Sequence, residues 1–333
     1  MTANPITARL LPGALALLVL ALFVGSLSVG PSAVGLGTAL GDLLAGADTT
    51  AAVIVAEIRL PRALLGVGVG ATLGLAGAAL QGLLRNPLAE PGVVGVSPFA
   101  ALGAVIAFYS GLSGTFALAL PLGGILGALL AVGLLYALAG RGGGMLTLVL
   151  AGMALSSLAG ALTSLALSLS PNPFALAEIV FWLLGSLADR SLTHVWLAVP
   201  FMAVGWALLL TAGRHLDALT LGELTARSLG VDLGRLRLRI VLGTALAVGA
   251  AVAVSGTIGF VGLIVPHLVR PLVGWQPGRL LLPSALGGAA LTLAADIAVR
   301  LPGGAELKLG VVTALIGAPF FLALVLRTRG SAA

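Results

Sequence analysis

Cysteine is absent from the 333 residues, lysine is reduced to Lys308, and charged side chains of both signs make up only 8% of the chain. The first absence excludes disulfides, thiolate metal sites and cysteine nucleophiles. The second excludes a P-loop, whose lysine follows a glycine and reaches nucleotide phosphates: Lys308 stands in the stretch ELKLG. The third excludes an ordinary soluble domain, about a quarter of whose residues are charged. Aromatics amount to 5% and the four methionines form no cluster, so no ligand signature can be read from them. His194, His215 and His267 have no partner three or four residues away. They read as helix-end or interface residues, and no metal site is suggested.

What is present is apolar. Hydrophobic residues make up 59% of the chain and the mean hydropathy is +1.17. Runs of roughly 20 apolar residues, the length that crosses a hydrocarbon core as a helix, recur from end to end. They fall at 10–30, 63–84, 93–110, 115–139, 145–169, 192–212, 240–269, 280–299 and 309–326. The first exceeds a secretory h-region and reads as an uncleaved span.

The block 240–269 is too long for one crossing, and charge decides how to treat it. If it splits into two spans, twelve cations face the cytoplasm: Arg9, Arg85, Arg141, Arg214, Arg227, Arg235, Arg237, Arg239, Arg270, Arg279, Arg327 and Arg329. Five then lie outside (Arg59, Arg62, Arg190, Arg300 and Lys308), whereas a single crossing gives ten against seven. The excess of Lys and Arg on the cytoplasmic side favours the split. SGTIGF (255–260) supplies the turn. The expected fold is therefore all-α and polytopic, one transmembrane domain over 1–333 with ten spans and both termini cytoplasmic.

On this map the bilayer midplane is nearly free of charge. An ion-coupled secondary transporter needs titratable groups there, and the nearest is Asp296, four residues before Arg300 and better read as an i,i+4 ion pair near the outer end of its span. No Ser/His/Asp or metal constellation suggests an enzyme. Small residues carry the packing instead: Gly66, Gly70 and Gly74 recur every fourth position, letting helix backbones approach closely.

The longest polar interruption on the inner side is 213–239. Thr220 and Glu223 have the spacing of a capping box and Gly230 suits a left-handed stop, so a short helix over 221–229 is expected. It is either a docking element or an interfacial helix resting among headgroups.

Four stretches, RLPRALLGVGVGATLGLAGAALQGLLRNPLAEPGVVGVSPFAALGAV (59–105), GELTARSLGV (222–231), SGTIGFVGLIVPHLVR (255–270) and ELKLGVVTALIGAPFFLALV (306–325), resemble FecCD-type permeases in order and spacing. These are the membrane subunits of type II ABC importers for iron–siderophore complexes, haem and vitamin B12. The resemblance implies a ten-helix subunit that dimerises in a bacterial cytoplasmic membrane. It also implies two cytosolic ATP-binding subunits that hold ATP and Mg, an extracytoplasmic substrate-binding protein, no cofactor in this chain and no catalytic residue.

Residue by residue, the resemblance places binding-protein docking at Arg59, Arg62 and Arg300. Pro61, read as the first turn of the second span, would put Arg62 at the positive end of a helix dipole. The alternative for Arg59 and Arg62 is snorkelling to lipid phosphates. The ATPase-coupling helix falls on Thr220, Gly222, Glu223, Ala226, Arg227, Leu229 and Gly230, and a tight inner-face turn on Gln81, Arg85, Asn86 and Pro87. One departure stands out: Lys308 occupies the place of a proline common before the last span of relatives. The cargo is not legible in the sequence. The competing class is an ion-coupled secondary transporter working without an ATPase subunit.

Overall fold

A computed structural model describes the chain apart from residues 1–4, 33, 113–115, 117, 141–144, 171–172, 302–306 and 331–333, so the expected inner Arg141 and outer Glu306 lie outside the described residues. Seven helices among these residues are long and apolar enough to cross a membrane. In the order of the chain the helices are α1 (Pro5–Ser28), α2 (Leu36–Leu44), α3 (Thr50–Leu84), α4 (Val96–Tyr109), α5 (Ala119–Ala139) and α6 (Met145–Ser168). There follow α7 (Pro173–Leu183), α8 (Leu192–Leu210), α9 (Gly213–Leu219), α10 (Glu223–Ser228), α11 (Leu233–Ser255), α12 (Val261–Val273), α13 (Pro277–Arg300) and α14 (Leu309–Gly330).

The break expected within the 240–269 block is present. α11 ends at Ser255, Gly256 has φ 69°, Phe260 has φ 68°, and α12 begins at Val261. α11 starts seven residues earlier than the apolar run because Asp232 accepts a hydrogen bond from the Arg235 N–H (3.0 Å) and caps an arginine-rich extension of the helix. α7 was not expected. Eleven residues, all apolar but Glu178, give it about 16 Å, too short to cross.

α3 and α13 form the centre of the fold, and glycine is what lets them touch. A Cβ at Gly70 would meet the Gly288 carbonyl, and one at Gly288 would meet the Gly70 carbonyl in return. Gly74 lies against Ser284 O and Gly66 against Leu293, so the four-residue repeat is a packing seam, as its spacing implied. Across another face of α3, Trp206 of α8 donates to Thr72 Oγ1 at 2.8 Å. α1 lies outside this centre, with only 6% of its most apolar stretch buried.

Pro61 does not begin a helix. α3 starts at Thr50, where the Thr49 hydroxyl accepts from the Ala52 N–H (3.2 Å), and passes through a π-turn at Ile54–Arg59. There the Leu60 N–H reaches back to Val55 O. The proline ring would clash with the carbonyl four residues back, and widening the turn relieves this. Arg62 is therefore well inside α3, and the helix-end dipole expected at it is absent.

Candidate functional site

Three places gather much of the polar chemistry among the described residues. At the end of α3 that charge assigns to the outside, Arg59, Arg62 and Arg300 come together, but their guanidinium groups point inward. Arg62 Nε lies 3.0 and 3.1 Å from the two carboxylate oxygens of Asp296, with Nη2 2.8 Å from Oδ1. Arg300 Nη2 reaches Asp296 Oδ2 at 2.9 Å, which realises the i,i+4 pair read from the sequence. Arg300 also donates to Ser26 O, Ser26 Oγ and Val29 O at 2.7–3.0 Å. Arg59 donates to Leu27 O, Ser28 O and Ser32 O at 2.7–3.1 Å.

Asp296 is fully buried, Arg59 is 3% exposed and Arg62 8%. The cluster ties the outer end of α1, which has little packing of its own, to α3 and α13. The carbonyls at the end of α1 have no intrahelical donors, and two arginines supply them.

At the opposite end, the predicted loop 213–239 is largely helical, and α10 is the expected short helix. Its stop is a Schellman motif: Gly230 has φ 85°, its N–H bonds Arg227 O (2.9 Å) and the Val231 N–H bonds Ala226 O (3.0 Å). Replacing Gly230 with valine is expected to destabilise α10 by about 1–2 kcal/mol, the cost of a left-handed conformation to a residue with a Cβ, read as loss of amide protection in 223–229.

The capping box does not form. Thr220 Oγ1 donates to Asp217 O (2.7 Å) at the end of α9, while Gly222 (φ 101°) precedes α10 with no side-chain cap. Glu223 pairs with Arg237 of α11 at 3.2 Å instead, a contact beyond the reach of local spacing rules. α10 turns Ala226 inward and leaves Leu224 83% exposed, with Leu221 and Leu229 each 62% exposed. α9 holds this region to α13, since Asp217 accepts from Gly278 N (2.7 Å) and Gln276 Nε2 (2.8 Å).

The inner-face turn lies beside it. Arg85 caps α3 with φ 48°, and Asn86 Oδ1 accepts from Leu88 N (2.9 Å), the asparagine turn expected before a proline. Gln81 joins the turn through its backbone, its carbonyl accepting from Asn86 N (3.2 Å). Its side chain is buried in α3, donates to Gly262 O (3.2 Å) and accepts from Arg270, so it also fastens α12 to α3. A cavity of about 260 Å3 joins Gln81, Arg85, Asn86 and Pro87 to Thr220 and Arg270.

The third place is at half-depth, and the sequence did not reveal it. Residues 85–92, expected as a cytoplasmic turn, and 93–95, expected to begin the next span, run instead along the middle of α6: Ser156, twelfth of its 24 residues, donates to Gly92 O at 2.6 Å. A Cβ at Gly152 would meet Val93 O at 2.6 Å. Pro91, Gly92, Gly95 and Pro98 crowd this stretch, and that density of helix breakers was the available signal. Irregular backbone at this depth is tolerated where it is buried in protein or lines a cavity. Thr257, Gly259 and Phe260 of the α11–α12 break border it and also line a cavity of about 580 Å3 between α7 and α14. Lys308, in the place of the usual proline, lies over the Phe181 ring at 5.8 Å and links α14 to α7.

The histidines take local roles. His194 Nδ1 faces Ser191 Oγ at 3.0 Å at the start of α8, and His267 packs edge-to-face on Phe320 at 5.7 Å. No cluster of three potential metal ligands occurs among the described residues.

Known proteins share this arrangement. The profile of the FecCD transport family matches residues 17–327. The chain is 44% identical over 283 residues to the cobalamin import system permease protein BtuC of Halobacterium salinarum, covering 84% of this chain and 75% of that protein. It is 39% identical over 328 residues to the hemin transport system permease protein HmuU of Yersinia pestis, 96% of each chain. A solved ABC transporter in an inward-facing conformation, assigned to the metal-chelate type, superposes with a TM-score of 0.82 at 34% identity, over 96% of this chain and 99% of that one. With the match spanning nearly the whole sequence, the chain belongs to the FecCD transport family.

Proposed function

We propose that the chain is the permease subunit of an ABC importer carrying an iron complex, haem or vitamin B12 across a bacterial cytoplasmic membrane. In this reading the seven long helices together with α4, α12 and α14 make ten spans, and two copies enclose the path. Two cytosolic ATP-binding subunits clamp the inner face, and an extracytoplasmic binding protein delivers cargo to the outer one. One observation carries the proposal: α10 and the residues flanking it leave Leu221, Leu224 and Leu229 exposed, on a chain with no P-loop of its own. An exposed apolar patch framed by polar residues marks a partner surface.

The mechanism is alternating access without covalent chemistry. Movement of α10 would pass through α9 and Asp217 to the start of α13, and along the glycine seam to α3. ATP binding biases the two states only as far as it distinguishes them. Docking of the binding protein belongs to the Arg59–Arg62–Arg300 rim. Because these groups are engaged inside the chain, acidic lobes of a partner would meet the surface they organise, or exchange with Asp296.

Leu224→Asp is expected to abolish copurification of the cognate ATP-binding subunit while the permease itself stays folded, and to lower ATP-driven uptake at least about tenfold, the loss of one anchor worth about 1.4 kcal/mol or more. Uptake along an ion gradient by the purified chain alone, without ATP, would replace this reading with a secondary transporter.

A further inference from the structure

We propose that Glu90 sets the electrostatic potential of the path at half-depth, as a carboxylate presented to cargo carrying cationic or hydrogen-bond-donating groups. Glu90 lies two residues before Gly92, whose carbonyl is fixed to the midpoint of α6 by Ser156. It lines a cavity of about 140 Å3 walled by Leu73 of α3, Pro98 of α4 and the α11–α12 break. Thr257, Gly259 and Phe260 separate that cavity from the one of about 580 Å3 and line both. The carboxylate is thus one thin wall from a void of ligand size.

The Phe260 backbone lies beside the Glu90 carboxyl in the wall of the same cavity, and no ion pair to Glu90 forms among the described residues. An ionisable group at this depth is expensive unless it serves a cavity or a partner. Holding the loop against that backbone does not require a charge, since a glutamine or asparagine amide would serve. The Phe260 ring lies against Gly317 of α14, where a Cβ would collide with it. The residue beside the carboxylate is therefore also the one that fills the notch of the helix across the larger cavity.

This inference rests on the permease reading in taking the two cavities for the path. Its test needs neither cargo nor ATPase, so failure here would leave that reading standing. Because the chain has no cysteine, Thr257→Cys places a single thiol on the shared wall. Full-length protein in membrane vesicles is treated with the cationic trimethylammonium-ethyl and the anionic sulfonatoethyl methanethiosulfonates, and the two modification rates are compared with those of a free thiol. With Glu90 in place, the cationic reagent is expected to be favoured about tenfold beyond its intrinsic ratio, as a nearby unit charge at intermediate dielectric dictates.

Glu90→Gln should collapse the preference and Glu90→Asp should keep it. A ratio indifferent to Glu90→Gln, or a thiol that neither reagent reaches, overturns the proposal. Val94→Cys, at a position 0% exposed, reports on the loop: if it becomes reactive in Glu90→Gln, Glu90 is a folding residue and the proposal fails.

Discussion

Asp296→Asn is expected to cost about 3–5 kcal/mol of folded stability, the usual penalty for removing one partner from a buried ion pair, measured as the shift in the unfolding midpoint of the full chain in mixed micelles. The carboxylate is completely buried and held from both sides, by Arg62 on α3 and Arg300 on its own helix. Neutralising it leaves two guanidinium groups facing each other in a place water enters poorly. Arg300 retains the Ser26 and Val29 acceptors and an amide oxygen can still accept from Arg62, but the negative charge that compensated both guanidinium groups is gone. Adding Arg62→Gln to Asp296→Asn should therefore restore part of the loss. A midpoint unchanged by Asp296→Asn would mean that the cluster is hydrated and holds nothing together.

The second large effect is steric. Gly77→Val is expected to prevent α12 from seating on α3, because a Cβ at Gly77 would run into the carbonyl and Cα of Gly262, which are backbone and cannot rotate aside. Overpacking commonly costs about 1–3 kcal/mol where side chains can give, and here they cannot. The bonds from Gln81 to Gly262 and Arg270, one turn further along α3, would go as well. Size-exclusion chromatography should show Gly77→Val aggregated, while Gly133→Val, with nothing within 4 Å of its Cβ, elutes as the parent does. A well-behaved Gly77→Val would show that α12 tolerates displacement from the seam.

Much of this was readable from the chain. Hydropathy located the long helices, the arginine asymmetry asked for a break in 240–269 where the helices do break, and the glycine repeat at 66, 70 and 74 gave the central contact. These signals are local or statistical, and they work because each depends on a few neighbouring residues or on a count. The failures concern distance in space. Charge asymmetry assigns a side of the membrane but not a depth, so Glu90 was left in a cytoplasmic loop although its segment turns back to the middle of α6. Spacing linked Thr220 to Glu223, whereas the fold gives Glu223 to Arg237 fourteen residues away. The outer arginines were read by exposure to water or partner. The acceptors of Arg59, and the carbonyls of Ser26 and Val29 that Arg300 also meets, belong to every residue alike and leave no trace in side-chain identity.

The π-turn at Ile54–Arg59 accommodates one residue more than an α-helix would over the same rise. Deleting a single residue there would let the helix become regular up to Pro61, and would swing everything ahead of it by about 100° around the axis, the angle each helical residue subtends. Arg59 would leave the end of α1 while Arg62 kept Asp296. The hand-hold of the outermost helix thus hinges on one surplus amino acid, and a shortened variant would separate attachment of α1 from integrity of the ion cluster behind it.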